Sequence, residues 1–284
     1  MESPLISVTG HIAIDEIMKI KNGRYVESFG LFYGGGAANS SVVASRLEEE
    51  VDLYGIVGGD FPKDYLSHLE SSGVRAHLKF LSEERTARAW ILNFEGRNIS
   101  YFYWGASKMM EELLEDIPDG KDFLIITGSP EFCIGVSDVS ERVFIDPGPD
   151  IVLWTKDDFS KVLEKTEVLF LNAEEFKYFL RIYGELPTCE LVVTSELGAK
   201  VFEEGELIGF AKAVRTRVVD PTGAGDAFRA AYVISRKRGY EPVESAKIGN
   251  CVSSFIVEEV GAQTNVPGWR EVKKRFLQYY GSPI

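Results

Sequence analysis

The sequence has few cysteines, few histidines and no long apolar segment. Its three cysteines, Cys133, Cys189 and Cys251, form no CxxC pair. A disulfide framework is therefore not expected, and a reducing cytoplasm fits best. The three histidines show no spacing typical of a metal site. No run approaches 18 apolar residues and no basic stretch leads into an apolar one at the start, so neither a membrane span nor a signal peptide is predicted.

Positive charge is also scarce, because 31 basic residues stand against 44 acidic ones and the net charge is −13. Such a chain repels phosphate backbones, so nucleic acid is not expected as a partner. An anionic substrate would need a positive site built locally. Hydrophobic residues make up 45% of 284, enough for a sizeable core in one large α/β domain or in a domain with a small appendage.

Short apolar runs and amphipathic stretches alternate along the chain. The runs lack polar alternation, as buried parallel strands do, and the stretches between them predict helices on both faces. This order is typical of a doubly wound, mostly parallel α/β sheet. The predicted strands are 5–8, 53–57, 123–126, 143–145, 168–171 and 191–193, and the predicted helices are about 38–48, 62–73, 155–165, 173–182, 224–238, 242–258 and 268–280.

Two segments interrupt this alternation. In segment 12–32, Asn22-Gly23 is a strong signal for a two-residue hairpin turn, because a type I′ turn needs positive φ at both central positions. In segment 87–104, aromatic and β-branched arms flank a turn at 94–98. The two hairpins could form a small sheet that covers a site; alternatively, they extend the main sheet.

The segment Val218 to Asp226 is predicted to end a strand and begin a helix. Gly223, Ala224 and Gly225 let a ligand approach the backbone, and the first N–H groups of a helix favour an anion such as a transferring phosphoryl group. Asp226 would stand beside them, where a carboxylate can take the proton of an attacking hydroxyl. The alternative is a tight turn whose aspartate only caps the helix.

Five motifs in order resemble the ribokinase-like (PfkB-type) carbohydrate kinases. The resemblance covers nearly the whole chain and implies an α/β core with a β-sheet lid, ATP, Mg²⁺, often K⁺, and transfer to a hydroxymethyl group. It implies that Asp226 is the catalytic base and that residues 223–225 form the anion hole. The motifs are GHIAID (10–15), GGGAAN (34–39), NAEE (172–175), DPTGAGD (220–226) and GAQTN (261–265).

The resemblance also implies roles for single residues, several of which have a simpler alternative. Asp15 could be a solvated turn residue, and Asn172 with Glu175 could be an ordinary helix cap. The family's usual glycine after Thr194 is absent here, which puts nucleotide contacts by that loop in doubt. The implied substrate residues are Asp15, Gly35, Gly36, Asn39 and Asp226. The implied nucleotide residues are Asn172, Thr194, Gly198, Thr222, Gly223, Gly225 and Asn250. Glu175 would hold Mg²⁺ through water, and Asp220, Thr222, Gly261 and Asn265 would surround K⁺.

We therefore expect a kinase core at 1–11, 34–86 and 105–284 and an inserted β lid at 12–33 and 87–104, through which two copies form a homodimer. Segments 101–108, 128–132 and 146–150 are similar to the broad-specificity nucleoside kinases of this family.

The acceptor is accordingly expected to be a nucleoside, phosphorylated on its 5′-hydroxyl. Ala13 and Gly128 replace two polar residues of ribose-specific members, which suits a bulkier acceptor. Four aromatic residues of the second hairpin could stack on its base or instead build the lid sheet or a dimer interface: Trp90, Tyr101, Tyr103 and Trp104.

Other functions stay open at this point. A sugar or sugar-phosphate kinase of the same family is the main alternative, because Arg88 and Arg97 could hold a sugar phosphate. A sensor without turnover is disfavoured by the intact Asp226 turn. A dinucleotide-dependent oxidoreductase is disfavoured because Asn39 takes the place of the last glycine of GxGxxG.

Overall fold

The structure is a computed structural model that describes residues 6–47, 50–94 and 97–284, of which 97 and 98 by their backbone alone. Three sequence predictions extend beyond these residues: the start of the first predicted strand at Leu5, the end of the helix predicted at 38–48, and part of the turn predicted at 94–98.

Within these ranges the chain forms thirteen strands and eight α-helices. The strands are β1 (Ile6–Gly10), β2 (Ala13–Lys21), β3 (Tyr25–Gly34), β4 (Val51–Gly58), β5 (Val74–Leu81), β6 (Ala87–Phe94), β7 (Arg97–Tyr103), β8 (Asp122–Ile126), β9 (Arg142–Asp146), β10 (Thr166–Asn172), β11 (Glu190–Ser195), β12 (Gly198–Glu203) and β13 (Glu206–Lys212). The helices are α1 (Gly36–Arg46), α2 (Lys63–Ser71), α3 (Pro130–Val139), α4 (Lys156–Leu163), α5 (Ala173–Tyr183), α6 (Ala224–Lys237), α7 (Pro242–Ile256) and α8 (Trp269–Tyr280).

The large sheet has the order β13-β12-β11-β10-β9-β8-β1-β4-β5 among the described strands. The strands from β11 to β5 are parallel, and β12 and β13 join the β11 edge antiparallel. Each face carries its own hydrophobic core. One core contains residues of α1, α2, α6, α7 and α8, and the other contains residues of α3, α4 and α5. The predicted doubly wound fold is confirmed.

The two hairpins form a separate sheet of order β3-β2-β6-β7 in the part of the chain that the structure describes. Asn22 and Gly23 have φ of 53° and 63°, as the predicted type I′ turn requires. Strands β2 and β6 pair in parallel between the hairpins. Because only two residues separate the end of β1 from the start of β2, this small sheet stands directly at the carboxyl edge of the large sheet.

The strand predicted before the glycine turn is wrong. Residues 213–219 form no strand, and Val218 and Val219 are exposed. The N–H of Val219 instead donates to the carbonyl of Val257, just past α7, at 2.7 Å. A Val-Val pair has high strand propensity, but propensity yields when a helix end offers the partner.

Sequence patterning missed β5, β12, β13 and α3. The start of α3 did carry a helix signal, because Ser129 caps the N–H of Phe132 and Pro130 occupies the first turn. Strands β12 and β13 lie at an edge of the sheet, and exposed edge strands lack the continuous apolar run that marks a buried strand. No helix among the described residues is long and apolar enough to cross a bilayer.

Candidate active site

Asp226 lies in the first turn of α6 and is held on two sides. Its Oδ2 accepts a hydrogen bond from Asn39 Nδ2 at 2.8 Å, and its Oδ1 lies 3.5 Å from Arg229 Nη1. Its backbone carbonyl accepts a bond from Ser40 Oγ at 3.1 Å. A Cβ on Gly36 would come within 3.2 Å of Oδ1. The start of α1 therefore packs against the carboxylate and limits how it can turn.

A chain of amide hydrogen bonds orients Asn39. Gln263 Nε2 donates to Asn39 Oδ1 at 2.8 Å and to the hydroxyl of Tyr65 at 3.0 Å. Gln263 Oε1 lies 3.0 Å from His68 Nε2. With the Asn39 oxygen engaged by Gln263, its NH₂ group points at Asp226. Asn39, expected to bind the acceptor, is thus also the residue that holds the carboxylate, and sequence reasoning missed Gln263.

Arg229, also missed, supplies the positive charge of the site. It is buried on α6, one turn after Asp226, and its Nε lies 2.7 Å from Asp146 Oδ2. Burial acts to lower the pKa of Arg229, but the carboxylates of Asp146, Asp226 and Glu175 outweigh it and raise the pKa. The spacing of three residues on a predicted helix could have revealed the Asp226–Arg229 pair.

The turn before α6 is built by its glycines and by Asp220. Gly223 has φ of 78°, and a Cβ there would lie 2.3 Å from Ala262 Cβ. The buried Asp220 carboxylate accepts bonds from Thr222 N and Oγ1 at 3.2 and 2.7 Å, and from Gly261 N at 3.0 Å. Asp220 thus joins this turn to the 261–265 loop.

The three residues expected as an anion hole differ in what surrounds them. Ala224 N–H donates to the Pro221 carbonyl at 3.2 Å. A Cβ on Gly225 would meet only the end of the Arg229 side chain, at 2.6 Å. A phosphate that bound the Ala224 N–H would have to replace its hydrogen bond to the Pro221 carbonyl. At Gly225, the absence of a side chain allows Arg229 to lie close to the backbone.

Asp15 lies on the face of the small sheet that is turned toward the core. Its carboxyl is 4% exposed and packs on Gly34, where a Cβ would lie 2.2 Å from it. Burial, with the negative charges of Asp226 and Asp220, raises the pKa of Asp15 to about 8. Asp15 is therefore mostly protonated at neutral pH and can donate one hydrogen bond as well as accept others.

Strand register places Phe32, Ala89 and Phe102 in one row with Asp15. Residues of this inner face alternate with those of the outer face. Trp90, Tyr101 and Tyr103 consequently lie on the outer face, which favours the alternative role for these three, in the lid sheet or a dimer interface, over stacking on an acceptor's base. The inner aromatic residue of β7 is Phe102, which is 42% exposed.

Gly35 and Gly36 make the start of α1 fit against β1 and β2. Gly35 has φ of 91°, and a Cβ there would lie 2.5 Å from Ala13 N and 2.6 Å from the His11 carbonyl oxygen. The Ala37 N–H donates to that same carbonyl at 3.2 Å. In this structure Gly35 therefore lets another segment of the protein backbone, rather than a ligand, approach the turn.

Four of the residues expected near the nucleotide lie outside the α6 turn, and they form two groups. Asn172 and Thr194 are register partners at the ends of β10 and β11. Asn172 and Glu175 form a reciprocal cap: Asn172 Oδ1 accepts from Glu174 N and Glu175 N at 2.9 Å, and Asn172 N donates to Glu175 Oε2 at 2.7 Å.

Gly198 and Asn250 meet at β13 instead. A Cβ on Gly198 would lie 2.0 Å from the Ala211 carbonyl oxygen. Asn250 Nδ2 donates to the carbonyls of Ala211 and Lys212 at 3.0 and 3.3 Å. The structural contacts of Gly198 and Asn250 are therefore enough to explain the presence of these residues without a nucleotide.

Among the described residues no group of three histidine, cysteine or acidic side chains is arranged to hold a metal ion. Asn265 Nδ2 donates to the Phe255 carbonyl at 2.7 Å. The cation residues expected from the sequence, Asp220, Thr222, Gly261 and Asn265, lie on the two loops that Asp220 joins.

Together with a family match, the glycine turn beside Asp226, at the carboxyl edge of a doubly wound sheet, identifies the chain as a phosphotransferase with an alcohol group as acceptor. The model of the pfkB family of carbohydrate kinases matches residues 3–269, and the chain belongs to that family.

Full-length relatives agree with this membership. The chain is 31% identical to a nucleoside kinase of Methanocaldococcus jannaschii, covering 96% of this chain and 97% of the relative. It is 30% identical to a nucleoside kinase of Methanothermobacter thermautotrophicus, covering 95% and 93%. The crystal structure of the Methanocaldococcus jannaschii nucleoside kinase superposes with a TM-score of 0.86 at 28% identity and covers 98% of this chain and 99% of that one.

Proposed function

We propose that this chain is a nucleoside kinase that transfers the γ-phosphate of ATP to the 5′-hydroxyl of a nucleoside. The observation that carries the proposal is the Asp226 carboxylate, held between Asn39 and Arg229 at the start of α6. The names of the two full-length relatives, both nucleoside kinases, support the choice of acceptor.

In this proposal Asp226 is the catalytic base. Its carboxylate takes the proton of the 5′-hydroxyl as the hydroxyl oxygen forms a bond to the γ-phosphorus, and the bond from that phosphorus to the oxygen of ADP breaks. Negative charge spreads over the phosphoryl oxygens, where the N–H groups at the start of α6 oppose it. Gly223, Ala224 and Gly225 form the anion hole.

The acceptor would lie against the inner face of the small sheet, which acts as a lid. Asp15 would bind ribose hydroxyls, with Gly35, Gly36 and Asn39 on the opposite side. Ala89 stands next to Asp15 in the same row and leaves space where a larger side chain would fill it. That space and the exposed Phe102 beyond it suit a sugar that carries a base.

The donor site would run from the α6 turn toward the ends of β10 and β11, using Thr222, Gly223 and Gly225, then Asn172 and Thr194, with Gly198 and Asn250 farther along. Glu175 commits one carboxylate oxygen to its cap, and the other could accept a bond from a magnesium-bound water, since Mg²⁺ keeps much of its hydration. Mg²⁺ would neutralise the phosphate charge. The loops that carry Asp220, Thr222, Gly261 and Asn265 offer backbone carbonyls for K⁺.

The main alternative is a sugar-phosphate kinase that holds the sugar phosphate with Arg88. The contacts of Arg88 argue against this alternative. Arg88, proposed to hold the phosphate, pairs with Glu16 Oε1 at 2.9 Å and Asp60 Oδ2 at 3.1 Å. Strand alternation puts Arg88 on the face opposite Asp15. Two carboxylates already compensate its charge, so it has little left for a sugar phosphate.

The test is release of ADP from ATP and Mg²⁺ with a panel of nucleosides, free ribose, hexoses and fructose 6-phosphate. We expect nucleosides to exceed the other acceptors at least about tenfold in kcat/KM, as a stacked base contributes roughly 1–3 kcal/mol in other systems. Asp226→Asn, purified in parallel, controls for contaminating activity. A sugar phosphate or free hexose as best acceptor would contradict the nucleoside assignment and leave the kinase class intact.

The outer face of the small sheet is the proposed homodimer interface. Phe29, Leu31 and Tyr101 are each more than half exposed on this face, and exposed apolar patches and open strand edges are usually covered in stable proteins. Sedimentation at micromolar concentration should show a dimer, and Leu31→Lys should shift it to monomer; a monomer in the unmodified protein would contradict the proposal. The proposed cytoplasmic location fits three free cysteines.

A further inference from the structure

His11 and Asp150 meet at the carboxyl edge of the large sheet, beside the candidate active site. His11 directly follows β1, and Asp150 follows β9 by four residues. The two side chains are buried, and His11 Nε2 lies 3.6 Å from Asp150 Oδ2. The His11 backbone carbonyl contacts the start of α1, which packs on Asp226. The pair is therefore next to the reacting groups, yet no step of the proposed reaction uses it.

The polar atoms of this pair have no hydrogen-bond partner in the part of the chain that the structure describes. This holds for both ring nitrogens of His11 and for Asp150 Oδ2, all of them buried. A separation of 3.6 Å is too long for a hydrogen bond between them. A buried polar atom left unpaired costs roughly 1–3 kcal/mol, so a group that pairs one or more of these atoms when it binds is favoured.

Aromatic rings of the small sheet cover the pair. The His11 ring packs edge to face with Phe102, with centroids 4.9 Å apart, and with Trp104 at 4.8 Å. Phe102 lies two strands from Asp15 in the same inner row, which is roughly 10 Å at the usual strand spacing. A nucleoside whose ribose lies on Asp15 would extend its base along this row toward Phe102 and the buried pair.

We propose that His11 and Asp150 recognise the hydrogen-bonding edge of the acceptor's base; this rests on the proposed nucleoside kinase function and deepens it. The Asp150 carboxylate accepts a bond from an N–H of the base, and His11 donates a ring N–H to the neighbouring acceptor atom. An imidazole N–H and a carboxylate oxygen together offer one donor beside one acceptor. The N1–H and O6 of a 6-oxopurine present the complementary pattern.

Access to the pair depends on the small sheet. Phe102 lies on β7 and Trp104 directly after it, so displacement of this strand end uncovers His11 and Asp150. When the small sheet closes over a bound nucleoside, Phe102 would lie against the base, and the hydrogen-bonding edge of the base would reach His11 and Asp150. The same movement admits the acceptor and later shields the transfer from water, as lids do in other kinases.

The test compares inosine with purine riboside, which lacks the N1–H and O6. The unmodified enzyme should prefer inosine at least about tenfold in kcat/KM, the range for hydrogen bonds to a charged group. In Asp150→Ala and in His11→Ala, which remove the accepting and the donating atom, this preference should fall to within about threefold, and kcat/KM for purine riboside and for free ribose should fall less than kcat/KM for inosine. Asp157→Ala, the matched substitution at an exposed position of α4, should keep the full preference.

Inosine binding without ATP, measured by calorimetry, gives a second readout that does not depend on turnover, and thermal unfolding checks the fold of each variant. Equal losses for inosine, purine riboside and ribose would show that the pair only supports the fold and would overturn the inference. So would an unmodified enzyme that does not distinguish the two purine nucleosides. If no nucleoside is phosphorylated at all, the proposed function fails and this inference fails with it.

Discussion

Helices α1 and α6 begin in the same way but have different roles at the site. Each starts at a glycine with positive φ, Gly35 at 91° and Gly223 at 78°, and neither has a side-chain cap. Both starts are rich in small residues, so their sequences look equally suited to an anion. They differ in the chemistry of the first turn, because α6 carries Asp226 there and α1 carries no acidic residue.

The two turns differ in contacts at Gly225 and not at Gly223, where a Cβ would lie 2.3 Å from Ala262 Cβ, so that glycine also lets protein pack on protein. A Cβ on Gly35 would strike the backbone of His11, Ile12 and Ala13, so that glycine lets protein pack on protein. A Cβ on Gly225 would meet only the end of the Arg229 side chain. A glycine-rich helix start is therefore not by itself a phosphate site. What approaches the backbone, and which charges stand next to it, decides its function.

The largest expected effect is on Asp226. Asp226→Asn keeps the shape of the side chain but removes its ability to take a proton, so kcat should fall at least ~10²-fold, within the usual contribution of a general base. Steady-state ADP release measures this, and the unfolding temperature should stay near that of the unmodified protein. A variant with near-normal kcat would take the role of base away from Asp226.

Alanine at Gly35 and at Gly225 should separate the two helix starts. Gly35→Ala should lower the free energy of unfolding by more than ~2 kcal/mol, because it adds positive-φ strain to a clash with backbone. Gly225→Ala should change stability by less than ~1 kcal/mol, since alanine favours the helix and the clashing side chain can shift.

The effect on catalysis should run the other way. Gly225→Ala should lower kcat at least ~10-fold, because displacing Arg229 disturbs a contact that holds the Asp226 carboxylate in place. Denaturant unfolding and ADP release on both variants measure the contrast. Equal effects of the two substitutions on stability would mean that the two turns are packed alike.

A smaller effect is expected at Gln263, which connects the two helix starts through Asn39. Gln263→Met keeps the length of the side chain but loses the bonds to Asn39 and Tyr65, so Asn39 is less well oriented. One net hydrogen bond of about 1 kcal/mol corresponds to a roughly fivefold lower kcat. His68→Ala, at the far end of the chain of bonds, should change kcat less than twofold. Unchanged kcat in Gln263→Met would show that Asn39 holds Asp226 unaided.

The last expected effect is on the pH dependence of stability and concerns Asp15, which faces the α1 turn. Its pKa rises from an ordinary 3.8 to about 8 on folding, so between these values the folded state binds more protons than the unfolded chain. The contribution of Asp15 to stability is therefore present at low pH and is lost as the pH rises toward 8.

Asp15→Asn removes this dependence. Its stability relative to the unmodified protein should accordingly rise by at least ~1 kcal/mol from pH 5 to pH 8, since one pKa unit is worth 1.36 kcal/mol. Denaturant unfolding at both pH values measures the difference. A constant difference would mean that Asp15 titrates in its ordinary range.

Local patterns in the sequence predicted much of this molecule. Apolar runs without polar alternation identified most of the parallel strands, Asn22-Gly23 identified a hairpin turn, and the Asp226 segment with four other motifs identified the family. Where local pattern failed, a distant partner was the cause. Val218 and Val219 have strand propensity, but the end of α7 takes the backbone bond instead. The sequence also left open whether Trp90, Tyr101 and Tyr103 face an acceptor or a dimer interface, because register across the lid sheet cannot be read from one strand.

The amino-acid sequence alone indicated the class of protein, through five motifs that resemble one family. It also predicted most parallel strands, a hairpin turn and several helix starts, because these depend on residues a few positions apart. Tertiary structure decided how the site is held: Asn39 bonds Asp226 across 187 residues and Gln263 across 224. It also decided that Phe102 faces inward and that His11 meets Asp150. Such contacts follow from the packing of whole elements, and no local propensity specifies which distant side chains that packing will bring within 3 Å.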